Sequence, residues 1–89
     1  MALTPEATRC EGSDPAIVEV ALAGRTYKVT IEQADQARLA PKQSPEQLAE
    51  AAFRFLLDRE PPDAIMPRFG LMIIARYFPE FEEKLPDYL

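Results

Sequence analysis

The chain has 89 residues, of which 47% are hydrophobic and 28% are charged, and its formal net charge is −5. A chain of this length forms one domain with a small core, and its hydrophobic content excludes wholesale disorder. The acidic balance argues against a nucleic-acid partner, because nucleic-acid affinity comes largely from Lys and Arg side chains that replace counterions on phosphates.

The cysteine and histidine content limits the kinds of catalysis and the cellular compartment that we expect for this protein. Cys10 is the only cysteine, and the sequence has no histidine. An intramolecular disulfide therefore cannot form, which fits a reducing compartment, and the commonest general base and metal ligand is missing. The most apolar stretch, residues 64–78, is shorter than the roughly 20 residues that a membrane span needs. We expect a cytoplasmic protein with no membrane segment, metal or cofactor.

The N-terminal segment differs in composition from the rest of the chain. Residues 1–15 hold few large apolar side chains and several turn-forming residues. Segments of this kind rarely supply enough buried surface to become ordered. We therefore expect a mobile tail at residues 1–15 and a single globular domain at residues 16–89.

Two short segments that follow the tail predict a β-hairpin. Apolar residues alternate with polar ones in residues 16–22 and again in residues 25–31. This period of two is typical of strands with one buried face. Ala23 and Gly24 lie between the two segments and suit the tight turn of a hairpin.

The next segment predicts a short helix. Thr30 and Gln33 have the spacing of a capping box, in which the first residue caps the helix and the second bonds back to it. The helix is expected to end near Leu39, before Pro41.

Residues 45–59 form the clearest predicted helix. Ser44 suits the N-cap, Pro45 the first helical position, and Gln47 completes a capping box. Apolar side chains cover roughly two-thirds of its circumference, whereas a helix that lies on one layer needs an apolar arc of little more than 100°. The helix is therefore central in the domain, or it also contacts a partner.

Two aromatic residues on this helix are assigned to different surroundings, one to the core of the domain and one to contact with a partner. Phe55 is assigned to the core, and its replacement by Ala is expected to destabilise the domain. Phe53 lies about 160° away around the helix, so it is assigned to an interface. We expect Phe53→Ala to weaken association more than folding.

The C-terminal part predicts short helical segments. A turn capped by Asp63 extends through Phe69, although Pro67 disturbs a longer helix. A second short helix covers residues 71–78 and ends before Pro79, because the residue before a proline avoids the helical region. A last helical turn is expected at residues 80–85.

The C-terminal half resembles a family of small uncharacterised bacterial proteins. The resemblance is carried by the pattern FxFLLxREP at residues 53–61 and YFPEF at residues 77–81. It implies a bacterial origin and a helical C-terminal half. The family has no assigned activity, so the resemblance implies no site residues. Pro67 departs from the pattern, where the family has a helix-forming residue.

These segments together predict an α+β fold. We expect an N-terminal two-stranded β-hairpin packed on three or four short α-helices, with the helix at residues 45–59 in the centre. One side of that helix is expected to contact the hairpin, and the other side the C-terminal segments.

The leading functional hypothesis is a non-catalytic protein–protein interaction module or a small subunit of an assembly. It follows from the surplus apolar surface and from the lack of a catalytic set, and it implies a homo-oligomer or another protein partner. The candidate interface residues are Phe53, Leu57, Met66, Met72, Tyr77 and Phe81.

Two alternatives involve charged residues. A small DNA-binding transcriptional regulator or antitoxin-like protein would use Arg68 and Arg76 as DNA contacts, because phosphate contacts come from cations. A carboxylate-based enzyme would use the acidic cluster near the C-terminus, if a cleft shifts the pKa values of two carboxyl groups apart. That cluster consists of Glu80, Glu82, Glu83 and Asp87.

Overall fold

The computed structural model of the protein describes residues 4–11 and 15–89. Its described residues form an α+β fold with one four-stranded sheet, so the predicted class is confirmed. The elements, in chain order, are β1 (Glu6–Glu11), β2 (Ala16–Leu22), β3 (Arg25–Ile31), α1 (Gln33–Leu39), α2 (Pro45–Leu57), a 3₁₀ turn (Pro62–Ala64), β4 (Arg68–Gly70), α3 (Ile73–Tyr77), α4 (Phe81–Lys84) and a last 3₁₀ turn (Leu85–Tyr88).

The predicted hairpin is confirmed. Strands β2 and β3 pair in antiparallel register, with Glu19 opposite Lys28. Ala23 and Gly24 form the turn with φ values of 53° and 76°. Two consecutive residues with positive φ give the turn a twist that matches the twist of the flanking strands.

The sheet has two more strands than the sequence analysis predicts. Strand β1 pairs antiparallel with β2 and lies within the predicted tail, of which residues 1–3 and 12–14 fall outside the described part of the chain. The backbone N–H of Ala7 donates to the Glu50 carboxylate at 3.1 Å, and Arg9 pairs with Glu46 at 2.9 Å. Two carboxylates of α2 therefore hold β1 in place, although β1 has few apolar side chains.

Strand β4 replaces the helical turn that we expected up to Phe69. Pro67 accepts a hydrogen bond from the Lys28 N–H at 2.8 Å, and the Leu71 N–H donates to Thr30 at 2.9 Å. The chain is thus extended and parallel to β3 between these two bonds. Proline disfavours a helix at this point, and its carbonyl oxygen is still free to accept from a neighbouring strand.

Helices α1 and α2 begin differently from each other. The N-cap position of α1 is Glu32 rather than Thr30, and no side chain caps the helix. By contrast, the predicted capping box of α2 is present, since Ser44 accepts from the Gln47 N–H and Gln47 accepts from the Ser44 N–H. Helix α2 ends at Leu57, two residues before the predicted end at Arg59.

Helix α2 is the centre of the core. Burial alternates along β2 and β3, so one face of the sheet is covered. The C-terminal helices cover the other side of α2 with Ile74, Phe81 and Leu85. The helix is therefore buried on two sides within one chain, which is the first of the two alternatives that its wide apolar arc leaves open. Its buried residues are Leu48, Ala49, Ala51, Ala52, Phe53, Phe55 and Leu56.

Candidate functional site

An apolar groove lies between the end of α2, the segment that precedes β4, and α3. Its volume is about 240 Å³. It forms because the chain leaves α2 at Leu57, makes the 3₁₀ turn at Pro62–Ala64, and returns as β4 and α3 without filling the space between them. The inner wall consists of Leu56, Ile65, Phe69, Ile73, Ile74 and Phe78.

The rim of the groove carries two large apolar residues that are exposed to solvent. Met66 is 41% exposed and Tyr77 is 68% exposed, and both line the groove. Glu60 is half-buried and is the one charged residue of the lining. Sites for drug-sized ligands usually exceed about 300 Å³, while an apolar cavity of about 150 Å³ can hold benzene. The groove therefore has the size of one large side chain.

Four of the six candidate interface residues retain some exposed surface. Met66 and Tyr77 both line the groove. Leu57 is half-buried and packs against the core. Met72 is also half-buried, and its sulfur accepts a hydrogen bond from Arg38 at 3.7 Å. Only Met66 and Tyr77 thus combine high exposure with a shaped apolar surface.

The remaining two candidates, Phe53 and Phe81, belong to the core and correct the interface prediction. Each is 0% exposed. Phe53 packs edge-on against Tyr27 at 5.2 Å and contacts the Phe69 ring at 5.9 Å. Phe53 points away from Phe55 as expected, but the sheet covers it. Replacing Phe53 is therefore expected to affect folding first.

A second, shallower cavity lies at the end of β4 near α1. Its volume is about 250 Å³. Glu32 and Asp35 contribute carboxylates, and Gly70 lines it without a side chain. Asp35 is paired with Arg38 at 3.3 Å, whereas Glu32 has no ion pair among the described residues. The cavity is thus acidic, and one of its two carboxylates has no ion pair within the described chain.

The acidic C-terminal cluster takes part in ion pairs that hold the C-terminal segment. Arg59 contacts Glu80 at 3.1 Å and donates to the Phe55 carbonyl at 3.2 Å. The pKa of Glu80 is lowered, first by a hydrogen bond from its own backbone N–H and then by Arg59. The hydroxyl of Tyr88 donates to Asp58, and this bond is the main reason that the Tyr88 pKa is raised.

No carboxylate of that cluster lines either cavity. Glu82 is paired with Arg38, and Glu83 and Asp87 are exposed. Within residues 4–11 and 15–89, no group of three or more His, Cys, Asp or Glu side chains is placed to hold a metal ion. Among the described residues, the cluster thus contributes Glu80 and Glu82 to ion pairs and no group to either cavity.

The two arginines of the DNA-binding alternative lie on different elements. Arg68 is exposed on β4 and Arg76 is exposed on α3, which has five residues. Neither arginine has an ion pair within the described part of the chain. The segment that contains them is a turn, a strand and a short helix instead of two helices.

Comparisons with known proteins give no relatives. The sequence matches no protein-family model, and no curated protein or solved structure is similar to it. Among the residues that the structure describes, no helix is both long enough and apolar enough to cross a membrane.

Proposed function

We propose that the chain is a non-catalytic protein-interaction module that receives an apolar side chain of a partner in the groove beside β4. The observation that carries this proposal is the position of Met66 and Tyr77. Both are exposed, and both stand at the rim of a cavity that fits one large side chain. Exposed aromatic residues beside a shaped apolar pocket are the usual centres of protein interfaces.

The size and lining of the groove favour a side chain over a small metabolite. A metabolite site usually has several polar groups that orient the ligand, and here Glu60 is the one charged residue of the lining. The remaining lining is apolar, so it favours the burial of an aliphatic or aromatic group and discriminates little between such groups. The module would therefore gain its specificity from neighbouring contacts at the rim.

The proposal is tested by comparing two exposed apolar residues. Tyr77→Ala removes the aromatic rim of the groove, while Leu89→Ala removes an apolar residue that is 42% exposed and lies outside the groove. Association is measured by sedimentation equilibrium of the purified chain and by quantitative co-purification from cells that express it. We expect Tyr77→Ala to weaken association about tenfold or more, as for interface hot spots, and Leu89→Ala to leave it unchanged.

Two results would overturn the proposal. One is a chain that associates with nothing, itself included, across the accessible concentration range. The other is association that Tyr77→Ala and Leu89→Ala reduce equally, since a general apolar surface would then suffice without the groove.

A further inference from the structure

The outer edge of β4 is an unpaired strand edge. The Pro67 carbonyl and the Leu71 N–H bond to β3. Backbone groups of successive strand residues point alternately to the two neighbouring sides, so the N–H and C=O groups of Phe69 also point toward β3. The N–H and C=O groups of Arg68 and Gly70 therefore point away from the sheet. Both residues are exposed, and within the described chain no other element bonds to their outward groups.

We propose that this edge pairs with the same edge of a second copy of the chain. The inference rests on the proposed function and names its partner. In an antiparallel pairing about a two-fold axis, Arg68 lies opposite Gly70 of the second copy, and Phe69 lies opposite its equivalent. The outward backbone groups of Arg68 and Gly70 then form two hydrogen-bonded residue pairs, which give four backbone hydrogen bonds in total. The pair of Phe69 residues between them is not hydrogen-bonded. The result is a continuous eight-stranded sheet.

In this register, the charge of Arg68 on β4 complements the charge of Glu32 in the second copy. Arg68 of the second copy lies beside Gly70, whose missing side chain leaves open space, because a Cβ built there meets no atom within 4 Å. Gly70 lines the acidic cavity that contains Glu32. Arg68 and Glu32 lack ion pairs among the described residues of one chain. Each copy thus offers its unpaired arginine to the unpaired carboxylate of the other.

The apolar groove completes the interface. A pairing of three residues buries far less surface than the roughly 800 Å² per partner that a stable dimer buries. Phe69 lies at the centre of the proposed pairing and also lines the groove. The grooves of the two copies then lie on the same side of the sheet, where the exposed Met66 and Tyr77 of one copy are the apolar side chains available to the groove of the other.

The other edge of the sheet is protected against the same kind of pairing. On β1, the Ala7 N–H is already taken by Glu50 at 3.1 Å, and Arg9 is tied to Glu46 on the same helix. Charged side chains over an edge are a common defence against strand addition. On β4, no described side chain bonds to the outward backbone groups, so we assign the dimer to that edge.

The backbone pairing is tested with two substitutions at one position. Gly70→Pro removes an N–H that β3 does not use, and Gly70→Ala keeps it and meets no clash. The purified wild type is expected to show a monomer–dimer equilibrium in sedimentation over a wide concentration range. Gly70→Pro is expected to weaken the dimer about 100-fold, because two backbone bonds are lost and the ring obstructs the edge, and Gly70→Ala is expected to retain it.

The charge pairing is tested by a swap that does not depend on the folding of the proline variant. Arg68→Glu and Glu32→Arg are each expected to weaken the dimer about tenfold, because each contact occurs twice and attraction becomes repulsion. The double variant is expected to restore dimerisation to within about threefold of the wild type. Circular dichroism checks that each variant is folded.

Three results would overturn the inference. They are a strict monomer at every concentration, a dimer that Gly70→Pro and Arg68→Glu leave unchanged, and single charge variants that the double variant does not rescue. If the pure chain is monomeric while Tyr77→Ala abolishes binding to a different protein, this inference fails and the proposed function stands.

Discussion

The Phe55 ring is the point at which α2 meets the C-terminal segments. Its centroid lies 5.1 Å from that of Phe81 and 5.9 Å from those of Phe78 and Tyr88. The Arg59 guanidinium covers the ring at 3.7 Å from its centroid. Aromatic pairs of this geometry add to the free energy gained by burial, and a cation over the ring adds more. One side chain thus links three separate parts of the chain.

Phe55→Ala is therefore expected to cost about 3–5 kcal/mol in the free energy of unfolding, because it removes a fully buried ring. Urea denaturation followed by circular dichroism measures the loss. The neighbouring Arg54 is exposed, and Arg54→Ala is expected to change stability by no more than about 0.5 kcal/mol. A loss below 1 kcal/mol for Phe55→Ala would contradict the packing described here.

Glu80 makes the stability of the C-terminal segment depend on pH. Its pKa is lowered by its own backbone N–H and by Arg59, so the carboxylate stabilises the fold above its unfolded pKa, and this contribution is lost as the pH falls through the folded pKa. Glu80→Gln should therefore be less stable than the wild type at neutral pH, and the difference should disappear in acid. Urea denaturation at a series of pH values checks this.

The matched control for that experiment is Glu83→Gln. Glu83 is exposed and has no ion pair among the described residues. A pH-dependent loss of the same size in Glu83→Gln would mean that net charge, rather than the contact with Arg59, is responsible.

At the scale of elements, the sequence predicts the helices and strands that are defined by a pattern within their own residues. The capping box at Ser44 and the wide apolar arc define α2, and alternation with a turn at Gly24 defines the hairpin. Strand β1 has no such pattern, because it is held by pairing with β2 and by bonds from α2. Strand β4 has three residues and pairs with a segment far away in sequence, so no periodicity can reveal it.

The same difference between local patterns and long-range contacts applies to the candidate site. Met66 and Tyr77 are exposed at the rim of the groove, and their role in an interface stays a prediction. Phe53 and Phe81 are buried by elements that the sequence does not predict or by packing between distant segments. The groove itself depends on the path from α2 to β4, which has no signature in the sequence.

The capping box is expected to contribute measurably to α2. Ser44→Ala removes the acceptor for the Gln47 N–H, which is bonded at 3.1 Å, and should cost about 1 kcal/mol. Urea denaturation measures the cost. Ser44→Asn supplies an equivalent acceptor and is expected to retain most of the stability. If both variants lose the same amount, the bond to Gln47 is not the cause.

Glu50 is expected to control the order of β1. Glu50→Ala removes the acceptor for the Ala7 N–H at 3.1 Å and leaves the pairing of β1 with β2 as the main remaining constraint. Hydrogen exchange of the β1 amides should accelerate, while exchange in β3 stays close to that of the wild type. Glu50→Gln keeps an oxygen acceptor and should show a smaller change. Equal acceleration in β1 and β3 would indicate global destabilisation instead.

At the scale of the whole molecule, dimerisation through β4 would couple stability to protein concentration. A partner that binds only the folded chain stabilises it by mass action, so the melting temperature should rise as the wild-type concentration increases. Arg68→Glu should give a melting temperature that changes little over the same range. Differential scanning calorimetry at several concentrations measures both, and an identical rise in the two proteins would place self-association elsewhere.

The parallel pairing of β4 with β3 also bears on the order in which the molecule folds. Lys28 and Arg68 are neighbours in the sheet, yet α1 and α2 lie between them in the sequence, and closing so long a loop is entropically costly. The meander of β1, β2 and β3 needs only short connections. We therefore expect the fourth strand to join last. An incompletely folded chain would not present the β4 edge, and self-association would begin only once folding is complete.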